Sequence, residues 1–69
     1  MRVYIRERRM ERHLTQGQLA ERLVNNKGKP LNQSDLSKYE RGETPPPLDI
    51  ILQIAEILNC KMEDLVSRH

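Results

Sequence analysis

Two helix starts and one helix stop lie within Leu14–Gly42, and together they restrict how the whole chain can fold. Thr15 followed by Gln18 has the S/T-x-x-E/Q spacing of a capping box, in which side chain and backbone satisfy each other's orphan donors. Leu19, Ala20 and Leu23 then make an apolar stripe on one side of a short helix. Asn32 is suited to N-cap a second helix, with Asp35 at N3 capping it and meeting the positive end of the helix dipole. Leu36 and Tyr39, spaced i and i+3, turn inward, and Gly42 takes the left-handed position that ends the helix. Between the two helices, Val24 to Leu31 is rich in turn formers (Asn25, Asn26, Gly28 and Pro30), which predicts a surface loop.

The rest of the chain reads as helices that enclose this pair. Residues 2–13 lack Gly and Pro and predict a charged first helix. Its i,i+4 pairs Glu7–Glu11 and Arg8–Arg12 are like-charged, so packing through Ile5 and Met10 must hold it, with Leu14 just beyond its end. Thr44, Pro45 and Pro46 precede prolines and are steered to extended backbone, which leaves Pro47 as N1 of a helix running to Leu58. On that helix Leu48, Ile51, Leu52, Ala55 and Leu58 form the expected core stripe. Ile50, Ile54 and Ile57 form a second stripe that also needs cover. Asn59 is a plausible left-handed stop, and Met62 to Val66 predict a last short helix. The expectation is an all-α, compact five-helix bundle, a single domain over residues 1–69 with an aliphatic core, since the chain has no Trp or Phe. At 69 residues such a core is near the lower limit for independent folding.

Composition excludes several classes of function. The single cysteine rules out an internal disulfide and suits a reducing cytoplasm. Cys60 reads as a small core residue rather than a nucleophile. No apolar run approaches the roughly 20 residues that span a bilayer, and no signal peptide opens the chain, so no membrane role is expected. There is no glycine-rich phosphate loop, and neither His13 nor His69 has partners at metal-ligand spacing. Catalysis, cofactors, metals and small-molecule ligands are therefore not expected.

Charge points to a different kind of partner. Residues 1–42 hold ten Lys/Arg against five Asp/Glu, whereas residues 43–69 hold two against five. The basic half contains the Asn32–Gly42 helix, and such asymmetry suggests a polyanion. That helix shows Gln33, Ser34, Ser37 and Lys38 on its wetter side. Amides, hydroxyls and an ammonium are the groups that read base edges in a major groove.

With these residues in view, the chain resembles the Cro-like phage-repressor (XRE) family of helix-turn-helix domains. The resemblance rests on Ile5-Arg6, Arg9, Leu14-Thr15-Gln16, Leu19-Ala20, Leu36-Ser37-Lys38-Tyr39-Glu40-Arg41-Gly42, Pro46, Leu48, Ile51-Leu52, Ala55 and Leu58, and covers roughly residues 5–66. It implies a lambda-repressor-like fold and a regulator that binds double-stranded DNA. It also implies a structural ion pair between Arg9 and Glu40, and a phosphate contact from Gln16 at the head of its helix. The sequence departs from the pattern at Arg8, where many members have leucine, at the often polar position of Met10, and in a helix connection about six residues longer than usual.

Residue chemistry and resemblance together nominate Gln33 for an adenine edge and Lys38 for guanine, with Ser34 and Ser37 able to reach bases or phosphates. Arg41, Lys27 and Lys29 are nominated for phosphates. One short domain covers about one half-site, so a homodimer on a palindromic operator is expected. Its interface is expected on the second stripe, Ile50, Ile54 and Ile57, with Leu65 and Val66. The alternatives are a monomer whose last helix covers that stripe, and a protein-binding module such as an antitoxin on the same scaffold.

Overall fold

The computed structural model describes residues 2–67, with Arg2 and Ser67 as backbone only. Among them are four α-helices: α1 (Ile5–Glu11), α2 (Gln16–Arg22), α3 (Gln33–Glu40) and α4 (Leu48–Leu58). In place of the expected fifth helix there is one turn of 3-10 helix, Met62–Asp64. It is followed by a strand, β2 (Val66–Ser67), which pairs antiparallel with β1 (Arg2–Val3). The Tyr4 N–H donates to the Leu65 carbonyl at 2.7 Å and extends this short ribbon. The first helix is accordingly shorter than residues 2–13. The two ends of the described segment are tied together by pairing rather than by helix packing.

The helix ends follow local chemistry. At the head of α2, Thr15 Oγ1 accepts from the Gln18 N–H at 3.1 Å and Gln18 Oε1 accepts from the Thr15 N–H at 2.8 Å, a complete capping box. Asn32 holds the N-cap position of α3 with extended backbone, but its side chain makes no capping bond. The Asp35 side chain accepts no hydrogen bond among the described residues either; it sits beside Tyr39, so its expected capping role is not realised. Pro47 is the residue before α4 rather than its first helical position. Three helices stop in the same way. His13 (φ 56°), Gly42 (φ 75°) and Asn59 (φ 52°) are left-handed. The following N–H in each case reaches back: Leu14 to the Arg9 carbonyl, Glu43 to Lys38 and Cys60 to Ala55. This is the Schellman arrangement, which satisfies carbonyls that the helix end would orphan.

The core is aliphatic, as the composition requires. Ile5, Leu19, Leu23, Leu36, Ile54, Leu58 and Leu65 are almost fully buried, joined by Ala20, Leu31, Ile50, Ile51 and Ala55. The buried face of α4 differs from the expected stripe. Ile50 and Ile54 belong to the core, and Leu65 leaves the 3-10 turn to join them. These three are therefore not spare surface for a second subunit. Ile57 and Val66 are half-buried against the same cluster. Leu48 and Leu52, expected inside, are instead 65% and 46% exposed. The reason is rotational. At 100° per residue the buried arc is centred on Ile54, Ile51 and Leu58, and Leu48 and Leu52 fall outside it. Met10 is likewise 55% exposed and does not pack as expected. The buried face of α1 is Ile5 with Arg9, one helical turn apart.

Candidate nucleic-acid interface

The site is organised around a buried ion pair. Arg9 Nε donates to Glu40 Oε2 at 2.8 Å and Arg9 Nη2 to Glu40 Oε1 at 3.1 Å, a bidentate clamp joining α1 to the end of α3. The Arg9 and Glu40 side chains are only 11% and 4% exposed. Arg9 Nη1 also donates to the Leu14 carbonyl at 2.7 Å, fixing the connection into α2. A planar guanidinium suits this arrangement because it meets a carboxylate with two parallel bonds and retains a third donor.

From this clamp a chain of amides runs to the surface. Gln16 Nε2 donates to Glu40 Oε1 at 3.2 Å, and Gln33 Nε2 donates to Gln16 Oε1 at 3.3 Å. The residues at the heads of α2 and α3 are thereby linked to each other and to the interior. Gln33 remains exposed beyond its bond to Gln16, and Gln16 is half-buried. Gly17 lies below them: a Cβ there would stand 3.4 Å from Gln33 Oε1. An extended side chain at position 17 would compete with Gln33 for this space.

The other nominated residues are distributed around α3. Ser34 and Lys38 are exposed and lie on its outer ridge, while Ser37 is half-buried on the flank that carries Gln33. Arg41 is exposed, and its guanidinium is held by its neighbours, donating from Nη1 to Ser37 Oγ at 2.8 Å and from Nε to Glu43. The groove between α1 and the end of α3 is lined by Arg6, Glu7, Arg9, Gln16, Glu40 and Arg41. Arg6, to which the sequence reading gave no role, is thus brought beside Gln16 and Arg41. Its place in the Ile5-Arg6 pair was the available signal. Lys27 and Lys29 stand apart from this groove, at the exposed tip of the α2–α3 connection.

The Tyr39 hydroxyl and the Cys60 thiol both titrate above their ordinary values. Burial, followed by the nearby charges of Asp35 and Asp49, raises the Tyr39 hydroxyl above its ordinary value. Burial also pushes the Cys60 thiol up, against the opposing influence of Arg8 and Arg12. A raised thiol is mostly protonated near neutrality and is a poor nucleophile. His13 is exposed, and His69 lies outside the described residues. Among the described residues no group of His, Cys, Asp or Glu has the makings of a metal site, and no helix is long and apolar enough to cross a membrane.

This geometry is a helix-turn-helix: two short helices locked at their heads, the second presenting polar side chains outward. No curated protein matches the chain. A family model described as helix-turn-helix matches residues 5–65, nearly all of the described structure. On that match and the geometry above, the chain belongs to the Cro-like (XRE) helix-turn-helix family of DNA-binding transcription regulators.

Proposed function

We propose that this protein is a sequence-specific regulator that seats α3 in the major groove, with Gln33 reading an adenine edge. The observation that carries this reading is the Arg9–Glu40–Gln16–Gln33 chain, which holds an exposed amide at the head of α3 from a buried anchor. Preorganisation matters because a side chain already held in one geometry loses less entropy on binding. Lys38 and Ser34 face the same groove, and Gln16, Arg6 and Arg41 approach the phosphates beside it. Arg41 exchanges its contacts with Glu43 and Ser37 for phosphate on binding.

The active species is a homodimer on an inverted repeat. The described domain is 32 Å in its longest dimension, close to the roughly 34 Å of one DNA turn, so one copy occupies one half-site. With Ile50, Ile54 and Leu65 in the core, the dimer contact falls instead on Leu48 and Leu52. These two exposed leucines lie one turn apart on the outer side of α4. Selection of bound sequences from a random DNA pool tests the proposal. An enriched inverted repeat with half-sites about one turn apart is expected, and absence of any enriched motif would overturn it.

A further inference from the structure

We propose that the connection between α2 and α3 is a second DNA-contacting arm, with Lys27 and Lys29 meeting the phosphate backbone, and that Gln53 of α4 is the residue that positions it. The inference rests on the DNA-binding reading above and adds to it an element outside the two-helix motif.

The connection is a built hairpin. Val24 bridges to Pro30 in antiparallel fashion, and the Asn25 N–H donates to the Lys29 carbonyl at 2.8 Å. Asn25 Oδ1 accepts from the N–H groups of both Lys27 and Lys29, at 2.9 and 3.1 Å. The Gly28 N–H donates to the Asn25 carbonyl, and Gly28 takes the left-handed conformation (φ 75°) that closes the turn. At the base, the Leu31 N–H returns to the Leu23 carbonyl at 3.0 Å. A loop that merely joins two helices needs none of this, since closure entropy grows slowly with length and a slack connection costs little.

The hairpin is also anchored from outside. Gln53 Oε1 accepts from the Val24 N–H at 2.8 Å, and Gln53 Nε2 donates to the Val24 carbonyl at 2.9 Å. One side-chain amide thus pairs with both backbone groups of Val24, as a neighbouring strand would, and fixes the hairpin to α4.

Its position relative to α3 indicates the partner. Gln33 and Glu40 lie on the flank of α3 that faces α2 and α1. Asp35 and Tyr39 lie on the other flank, and they line a groove shared with Asn25, Asn26, Lys27, Pro47 and Asp49. The hairpin and the head of α2 therefore stand on opposite sides of the reading helix. A helix seated in the major groove has a phosphate backbone on each side. Gln16 approaches one, and the hairpin stands toward the other. Lys27 and Lys29 flank Gly28 at the tip, both exposed and without an ion pair among the described residues. Asp35 and Asp49 repel phosphate from the groove floor, which confines contact to that tip.

The test is the salt dependence of binding to the selected operator and to random DNA. Each phosphate contact contributes about 0.9 to the slope of log K against log salt concentration. The double variant Lys27→Ala/Lys29→Ala is expected to flatten the slope by about 1.8 and to weaken operator and random DNA alike, leaving base preference intact. Gln53→Leu, which removes both bonds to Val24, and Asn25→Ala, which loosens the turn without touching α4, are each expected to flatten the slope in the same sense. Neither should add to the loss in the Lys27→Ala/Lys29→Ala background. An unchanged slope in the lysine variant, with operator binding retained, overturns the arm and leaves the DNA-binding reading standing. Equal effects of Gln53→Leu with and without the lysines overturn its positioning role. Absence of DNA binding by the unaltered protein overturns both readings.

Discussion

The side-chain amide of Gln33 donates to Gln16 across the heads of α3 and α2 at 3.3 Å, and Gln16 in turn donates to the buried Glu40. A residue at the proposed base-reading position is therefore oriented from inside the protein. Gln33→Ala is expected to cost about 1–3 kcal/mol of operator affinity and to relax preference at one base pair. Gln16→Ala is expected to weaken operator and random DNA together. Titration of each variant against the selected operator and single-base variants checks this; undiminished preference in Gln33→Ala would count against the assigned reading face.

Arg9 and Glu40 are buried together, so removing either leaves the other charge without its partner. Arg9→Ala and Glu40→Ala are each expected to destabilise by about 3–5 kcal/mol, and the double variant by less than the two losses combined. Arg9→Ala also frees the Leu14 carbonyl, and Glu40→Ala frees Gln16 Nε2. Urea denaturation of the four proteins provides the cycle, and strictly additive losses would show that the pair is not coupled.

Gly17 occupies a helical position at which glycine is conformationally costly. Gly17→Ala is expected to raise stability by up to about 1 kcal/mol, since its new Cβ meets Gln33 Oε1 at ordinary contact distance. Gly17→Leu is expected to displace Gln33 and to broaden base preference while the domain stays folded. Thermal melts and operator competition separate the two effects.

Tyr39 is held above its ordinary pKa by burial, then by Asp35 and Asp49. The neutral phenol is favoured in the folded state, so its contribution is complete below the unfolded pKa and is lost as pH rises through the folded one. As pH rises past about 10, the ordinary value of a tyrosine, the unaltered protein is expected to lose more stability than Tyr39→Phe. Parallel loss in urea midpoints for the two proteins would contradict the shift.

Leu48 and Leu52 form the exposed apolar face of α4. Leu48→Glu and Leu52→Glu are expected to convert a dimer to a monomer of 8.1 kDa without unfolding it. Ile57→Glu, on a half-buried residue packed against the core, is expected instead to lower stability. Sedimentation of the unaltered protein as a monomer at micromolar concentration would end the dimer proposal.

Sequence alone determined the features whose physical cause is local. The capping box of Thr15 and Gln18, the left-handed stops at Gly42 and Asn59, and the inward Leu19, Ala20, Leu23 and Leu36 follow from neighbours within one or two turns. The Arg9–Glu40 pairing came from family resemblance, because nothing local relates residues 31 positions apart. Tertiary structure decided what depends on rotation and on distant partners. Ile50, Leu48, Ile54 and Leu52 are equally apolar, and only packing in one cluster with Ile5, Leu36 and Leu65 selected which two are buried. The last segment carries a helical pattern too short to hold a helix by itself, and β1, more than sixty residues away, drew Val66 into a strand. The turn formers at Asn25, Gly28 and Pro30 announced a loop. Its ordering against α4 depends on Gln53, whose distant backbone partner no local pattern could reveal.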